Sequence, residues 1–171
     1  IEIPANPRTG MDVDALEEAI RGLESTRNRE GAALKKALLR SAEKLESLAK
    51  KIAPHAGRVA QLHREALHKR IERAGISLQP DDARLASEVA FFAERCDITE
   101  ELERAASHIA QFRDKLDSKG PVGRTLEFLA QELGREFNTI GSKSSTTAIA
   151  RLVIEAKAEL DRIREQLANI E

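Results

Sequence analysis

Apolar residues recur every three or four positions through most of this chain, and the runs they form are long. From Asp12 the stripe reads Val13, Leu16, Ile20 and Leu23, then after a gap Leu34, Ala37, Leu45, Leu48 and Ile52. That alternation marks a long helix with a coiled-coil-like seam. Continuing the register through the gap puts Arg27 and Glu30 in the seam, which predicts a buried or half-buried ion pair. Pro54 either kinks this helix or stands in the first turn of the next. The pattern resumes through Val59, Leu62, Ala66 and Ile71 to Gly75, followed by a turn at GISLQPDD. His55, His63 and His68 fall in this second segment at offsets that do not share a face, so they are expected to be solvated.

A third helix is expected from about Asp82 to Arg95, with Leu85, Val89 and Phe92 facing inward. The sequence Asp97-Ile98-Thr99-Glu100 has the form of a capping box, in which Asp97 accepts an early N–H and Glu100 reaches back to the cap. The fourth helix then carries Asp97, Glu101, Arg104, His108 and Gln111 at spacings of four and three, so all five project from nearly one side. Gly120 and Pro121 separate it from a fifth helix, whose stripe is Val122, Leu126, Leu129, Leu133, Phe137 and Ile140. Opposite that stripe stand Arg124, Phe128, Gln131, Arg135, Asn138 and Ser142, with Glu132 and Glu136 on the flank. An ordinary solvated face alternates carboxylates with cations. This one mixes guanidinium groups, amides and an aromatic ring, the chemistry of a binding face.

The last helix has the most regular heptad: Ile149, Val153, Ala156, Leu160, Ile163, Leu167 and Ile170. It predicts knobs-into-holes packing against a helix of this chain or of another subunit. The class is therefore all-α, five to six helices in long antiparallel hairpins with coiled-coil-like seams. An irregular lead-in over 1–11, read as the remnant of an upstream domain, precedes a helical domain over 12–171. That domain comprises a long hairpin at 12–75 and motif-bearing helices at 82–171.

Composition sharpens this picture. A third of the 171 residues are charged, aromatics are 3%, and Trp and Tyr are absent, which suits long paired helices and not a thick aromatic core. The net charge of −1 removes any argument from overall basicity, so a polyanion would have to meet a local field. Cys96 is the only cysteine, and no apolar run approaches a membrane span or signal peptide, making the cytoplasm the expected location.

Several segments in order, EGAAL (30–34), DITEEL (97–102), SHIAQF (107–112), PVGRTLEFLAQELGREFNT (121–139), GSK (141–143) and REQLANIE (164–171), closely resemble the carboxy-terminal half of the bacterial YicC/YloC family. The resemblance implies a cytoplasmic, divalent-metal-dependent endoribonuclease, assembled as a ring-like homo-oligomer, a hexamer, and linked to small-RNA turnover, the RNA-degradation machinery and stress survival. It also implies an amino-terminal α/β domain with no counterpart here. Ala105, Ala106, Glu127 and Gly134 depart from the family pattern, and Gly134 weakens its helix by about 1 kcal/mol relative to Ala.

RNA cleavage requires an activated attacking oxygen, stabilised charge on phosphorus and a protonated leaving oxygen. His108 is the expected acid or base, or alternatively a metal ligand, with Glu132 and Glu136 as catalytic carboxylates. Glu101, His108, Glu132 and Glu136 are the candidate ligands for Mg or Mn. The Glu132 and Glu136 pair has a competing reading as a solvated surface couple interacting with Arg135. Arg104, Gln111, Arg124, Phe128, Gln131, Arg135, Asn138 and Lys143 are the candidate RNA contacts: cations for phosphates, amides for sugar or base edges, Phe128 for stacking. The same groups would also suit an interhelical network between subunits. Either this chain holds the nuclease centre, or it is an RNA-binding and oligomerisation module. The fourth and fifth helices are expected to lie side by side, bringing His108 within reach of the Gln131, Glu132 and Arg135 turn.

Overall fold

The computed structural model describes residues 12–75, 83–144 and 146–168. The lead-in, most of the GISLQPDD turn and Ile170 lie outside the described residues. Six helices account for nearly all of the rest, and no strand occurs among the described residues: α1 (Asp12–Ala56), α2 (Val59–Arg73), α3 (Ala83–Arg95), α4 (Thr99–Asp117), α5 (Gly123–Lys143) and α6 (Thr147–Leu167). The all-α expectation holds.

The chain divides into two compact units between Ala37 and Leu38. In the first, Val13, Leu16, Ile20 and Leu23 keep roughly half of their surface in solvent, between 47% and 60%. Arg27 and Glu30 are also exposed, which corrects the expected buried or half-buried pair: charges that keep their contact with water are not desolvated, so the seam register does not force them together.

The second unit holds the core. The later part of α1 buries Leu38, Ala42, Leu45, Leu48, Ala49 and Ile52, and α4, α5 and α6 bury Ile109, Phe112, Leu126, Leu133, Phe137, Ile149, Leu160 and Ile163. Lys143 at the end of α5 meets Glu101 at the start of α4, and the α5 residues Gly141 and Gly134 approach Val153 and Arg164 of α6. α5 is thus antiparallel to both neighbours. On the other side Arg113 of α4 pairs with Glu46 of α1 at 2.8 Å, while Thr99 shares a groove with Ala56, making α1 antiparallel to α4. Ser41 and Lys44 of α1 bind Glu159 of α6. The result is four helices with alternating directions around one apolar core, the packing that heptad-spaced stripes favour. Pro54 sits in the last turn of α1 without stopping it before Ala56.

Glu159 is the principal buried charge of this core, at 5% exposure. Ser41 Oγ donates to its Oε1 at 2.7 Å, and Lys44 Nζ and Arg162 Nη1 approach Oε2 at 2.9 and 2.6 Å. Burial pushes its carboxyl upward, but the Ser41 and Lys44 hydrogen bonds and the two nearby cations outweigh that and hold it below the ordinary carboxylate range.

α2 packs on α3. His63 stacks flat on Phe92 with ring centroids 3.5 Å apart, and its Nε2 is buried, so this histidine is not solvated as expected; tertiary pairing of the two helices encloses it. All described members of the α6 stripe, Ile149 through Leu167, are 5% exposed or less. That seam closes within the chain.

Candidate functional site: the polar face of α4, α5 and α6

The cap of α4 is only half of what its sequence suggests. Asp97 accepts the Thr99 amide at 2.9 Å and the Thr99 hydroxyl at 2.6 Å, and those two bonds hold its carboxyl below the usual range. Glu100 does not reach back; it pairs with Arg104 one turn on, because an i,i+4 cation competes with the cap amide for the same carboxylate.

Within α4, the side turned toward α1 carries Arg113, Leu102 and Ala106. The stripe containing Glu101 and His108 therefore lies along the other flank, against α5. The α5 residues that face it are Glu132, Glu136 and Lys143, since Gly134, Asn138 and Gly141 belong to the flank turned toward α6. Lys143 Nζ binds Glu101 Oε1 at 2.7 Å and donates to the Asp97 carbonyl at 3.0 Å. From that pair, two turns forward along α4 is His108 and two turns back along α5 is Glu136, with Glu132 one turn further. By this count His108 of α4 and the 132–136 stretch of α5 stand at about the same height along the two antiparallel helices.

Its electrostatics are unusual. Glu101 and Glu136 are buried, at 6% and 8% exposure. Glu101 Oε2 and His108 Nδ1 are fully enclosed without a hydrogen-bond partner. An enclosed polar atom left unpaired costs about 1–3 kcal/mol, and such groups cluster where a ligand or a reaction uses them. Glu132 is tied to Arg135 at 2.9 Å, the local couple that competed with its reading as a ligand.

The outward crest of α5 is as the wheel predicts. Arg124, Phe128, Gln131, Arg135, Asn138 and Ser142 are all exposed, and Phe128 leaves 56% of its surface in solvent. Arg104 and Gln111 are exposed on α4, Gln111 donating to Ser107 Oγ at 3.2 Å. Lys143 differs from the other expected RNA contacts, because its ammonium is held by α4 and fastens the two helices together.

Two cations escaped the sequence reading. Between α5 and α6 lies a groove of about 250 Å³ lined by Gly134, Asn138, Lys157, Leu160, Asp161 and Arg164. Lys157, Asp161 and Arg164 are spaced four and three and so share one side of α6, a polar pattern that runs beside the stronger apolar heptad.

The four expected metal ligands do not form a cage. Among the described residues no three His, Cys, Asp or Glu side chains come together as a cation site, and Glu101 and Glu132 each engage a neighbouring cation. The described residues therefore do not by themselves form a preassembled Mg or Mn centre.

Residues 52–171 match the family "Endoribonuclease YicC-like, C-terminal". The chain is 40% identical over 158 residues to a probable endoribonuclease YicC of Clostridioides difficile, covering 92% of this chain and 54% of that protein. It is 33% identical over 157 residues to the Haemophilus influenzae protein of the same name, with the same coverage. The chain spans about half the length of these curated relatives.

Proposed function

The chain belongs to the YicC-like endoribonuclease family, and on that premise we propose that it is the RNA-gripping helical half of an endoribonuclease whose acid–base chemistry is centred on His108. The observation that carries this reading is the enclosed, partnerless Nδ1 of His108 on the same seam as the buried Glu101 and Glu136. At a scissile phosphodiester the attacking oxygen must lose a proton and the leaving 5′ oxygen must gain one. With Nδ1 enclosed, Nε2 is the nitrogen that meets substrate. Arg124 and Arg135 on the crest bind phosphates, Phe128 stacks on an unpaired base, and Gln131 and Asn138 reach sugar or base edges, an arrangement suited to single-stranded or loop RNA.

Dependence on Mg or Mn is part of the family expectation, but we assign no step to the ion because the described residues do not gather a cage for it. We further propose cytoplasmic action on small RNAs by a homo-oligomer, a hexamer in the family expectation. The uncovered apolar stripe at Val13, Leu16, Ile20 and Leu23 supports assembly.

Cleavage of a structured RNA with single-stranded loops, with and without Mg or Mn, tests the acid–base assignment. His108→Ala should lower the rate by about 10²-fold or more with an unchanged melting temperature; cleavage at the wild-type rate would remove His108 from the chemistry. A second reading, an RNA-binding and oligomerisation module that does not cleave alone, is favoured by the lack of a cation cluster among the described residues. In that case this chain binds RNA, but only a chain extended to the length of its relatives cleaves it.

A further inference from the structure

Gly134 stands in the middle of α5, where glycine costs about 1 kcal/mol of helix stability relative to alanine. Its backbone does not require glycine, because positive φ occurs only at Gly75 and Gly120 among the described residues. What glycine supplies is space. A Cβ at this position would lie 2.8 Å from Arg164 Nη2, so the guanidinium of Arg164 rests against bare helix. Its other nitrogen, Nη1, is 3.3 Å from Asp161, and half of the Arg164 side chain remains open to solvent. Lys157 and Asn138 line the same groove.

We infer that this α5/α6 groove is a second phosphate subsite for RNA, in which Arg164, seated over Gly134, and Lys157 hold a phosphodiester beside the Arg124 and Arg135 crest. The proposal rests on the RNA-binding reading above and extends it to residues outside the crest. Two cations face one carboxylate in the groove, so its local field favours an anion although the whole chain is nearly neutral. Asp161 fixes one edge of the guanidinium and leaves the rest of its planar fork for phosphate oxygens. Asn138 stands on the border between crest and groove and joins the two.

The test uses the full chain and a labelled oligouridylate, with affinity measured across a salt series. Gly134→Ala is the decisive variant: the atom it displaces is the tip of a flexible side chain, so folding should hold or improve while Arg164 is pushed aside. Expected results are a roughly tenfold loss of affinity for Gly134→Ala and Arg164→Ala, no further loss in the double variant, and a salt slope shallower by about 0.7, the value for one phosphate contact on a single strand. If Gly134→Ala binds as wild type while Arg124→Ala with Arg135→Ala binds weakly, the subsite is overturned and the crest stands. If Gly134→Ala instead lowers the melting temperature without changing affinity, Arg164 is a brace between helices and the proposal is likewise overturned. Failure of the wild-type chain to bind oligouridylate would overturn the RNA-binding reading and this subsite with it.

Discussion

The first turns of α1 and the whole of α6 carry the same apolar code and meet opposite fates. Val13, Leu16, Ile20 and Leu23 repeat at three and four just as Ile149, Val153, Ala156 and Leu160 do, yet the first set is about half exposed and the second is buried. A heptad states that a helix has a face to cover, and leaves the covering element unspecified. For α6 that element lies in its own chain, in α5 and the later part of α1. Of the two partners expected for the α6 seam, a helix of this chain or of another subunit, the first is the one found, and an unfilled stripe remains only on the described part of the first unit.

This contrast is most sharply tested by placing charge in each stripe. Leu160→Asp with Ile163→Asp puts two carboxylates where no partner exists, and the fold should be lost, since each unpaired buried charge costs several kcal/mol. Leu16→Asp with Ile20→Asp should leave the melting temperature of the second unit unchanged. If the exposed stripe joins subunits, the same variant should sediment as a smaller particle; an unchanged mass would show that the stripe is simply solvated.

A smaller effect is expected at the polar link between α6 and α1. Glu159→Gln keeps shape but removes the charge that Lys44 and Arg162 face, and should cost about 1.5–3 kcal/mol, the range for hydrogen bonds to charged groups. Thermal denaturation of the variant beside wild type reads this directly. Loss of less than half a kcal/mol would mean that apolar packing alone closes the seam.

The smallest effect is in pH. The folded-state carboxyls of Glu159, Asp97 and Glu46 all lie below their ordinary values; for Glu46 the cause is the Lys50 hydrogen bond first and Arg113 after it. A depressed carboxyl stabilises the fold above its unfolded-state pKa, and that contribution is lost as pH falls through the folded value. Melting temperature should therefore be flat near neutrality and fall below roughly pH 4.5, the ordinary carboxylate range, less steeply in Glu159→Gln. An equal acid slope in both proteins would assign the loss to other carboxylates.

Much of the molecule was legible in advance because its information is periodic and local. Leu126, Leu129, Leu133, Phe137 and Ile140 declared the buried side of α5, and with it the exposed crest from Arg124 to Ser142, since a helix fixes which residues share a face. The adjacency of α4 and α5 followed from the short Gly120-Pro121 connection. Tertiary packing alone decided the rest: that Lys143 serves Glu101 and the Asp97 carbonyl, that His63 is enclosed by Phe92, and that Arg164 lies over Gly134 on a neighbouring helix. Each of these joins residues at least 29 positions apart, a separation no helical repeat encodes. The sequence determined the helices and their faces because 3.6-residue periodicity is a property of one segment. Which face covers which, and hence which polar atoms are left enclosed and partnerless, depends on contacts between segments and was decided only when the helices packed.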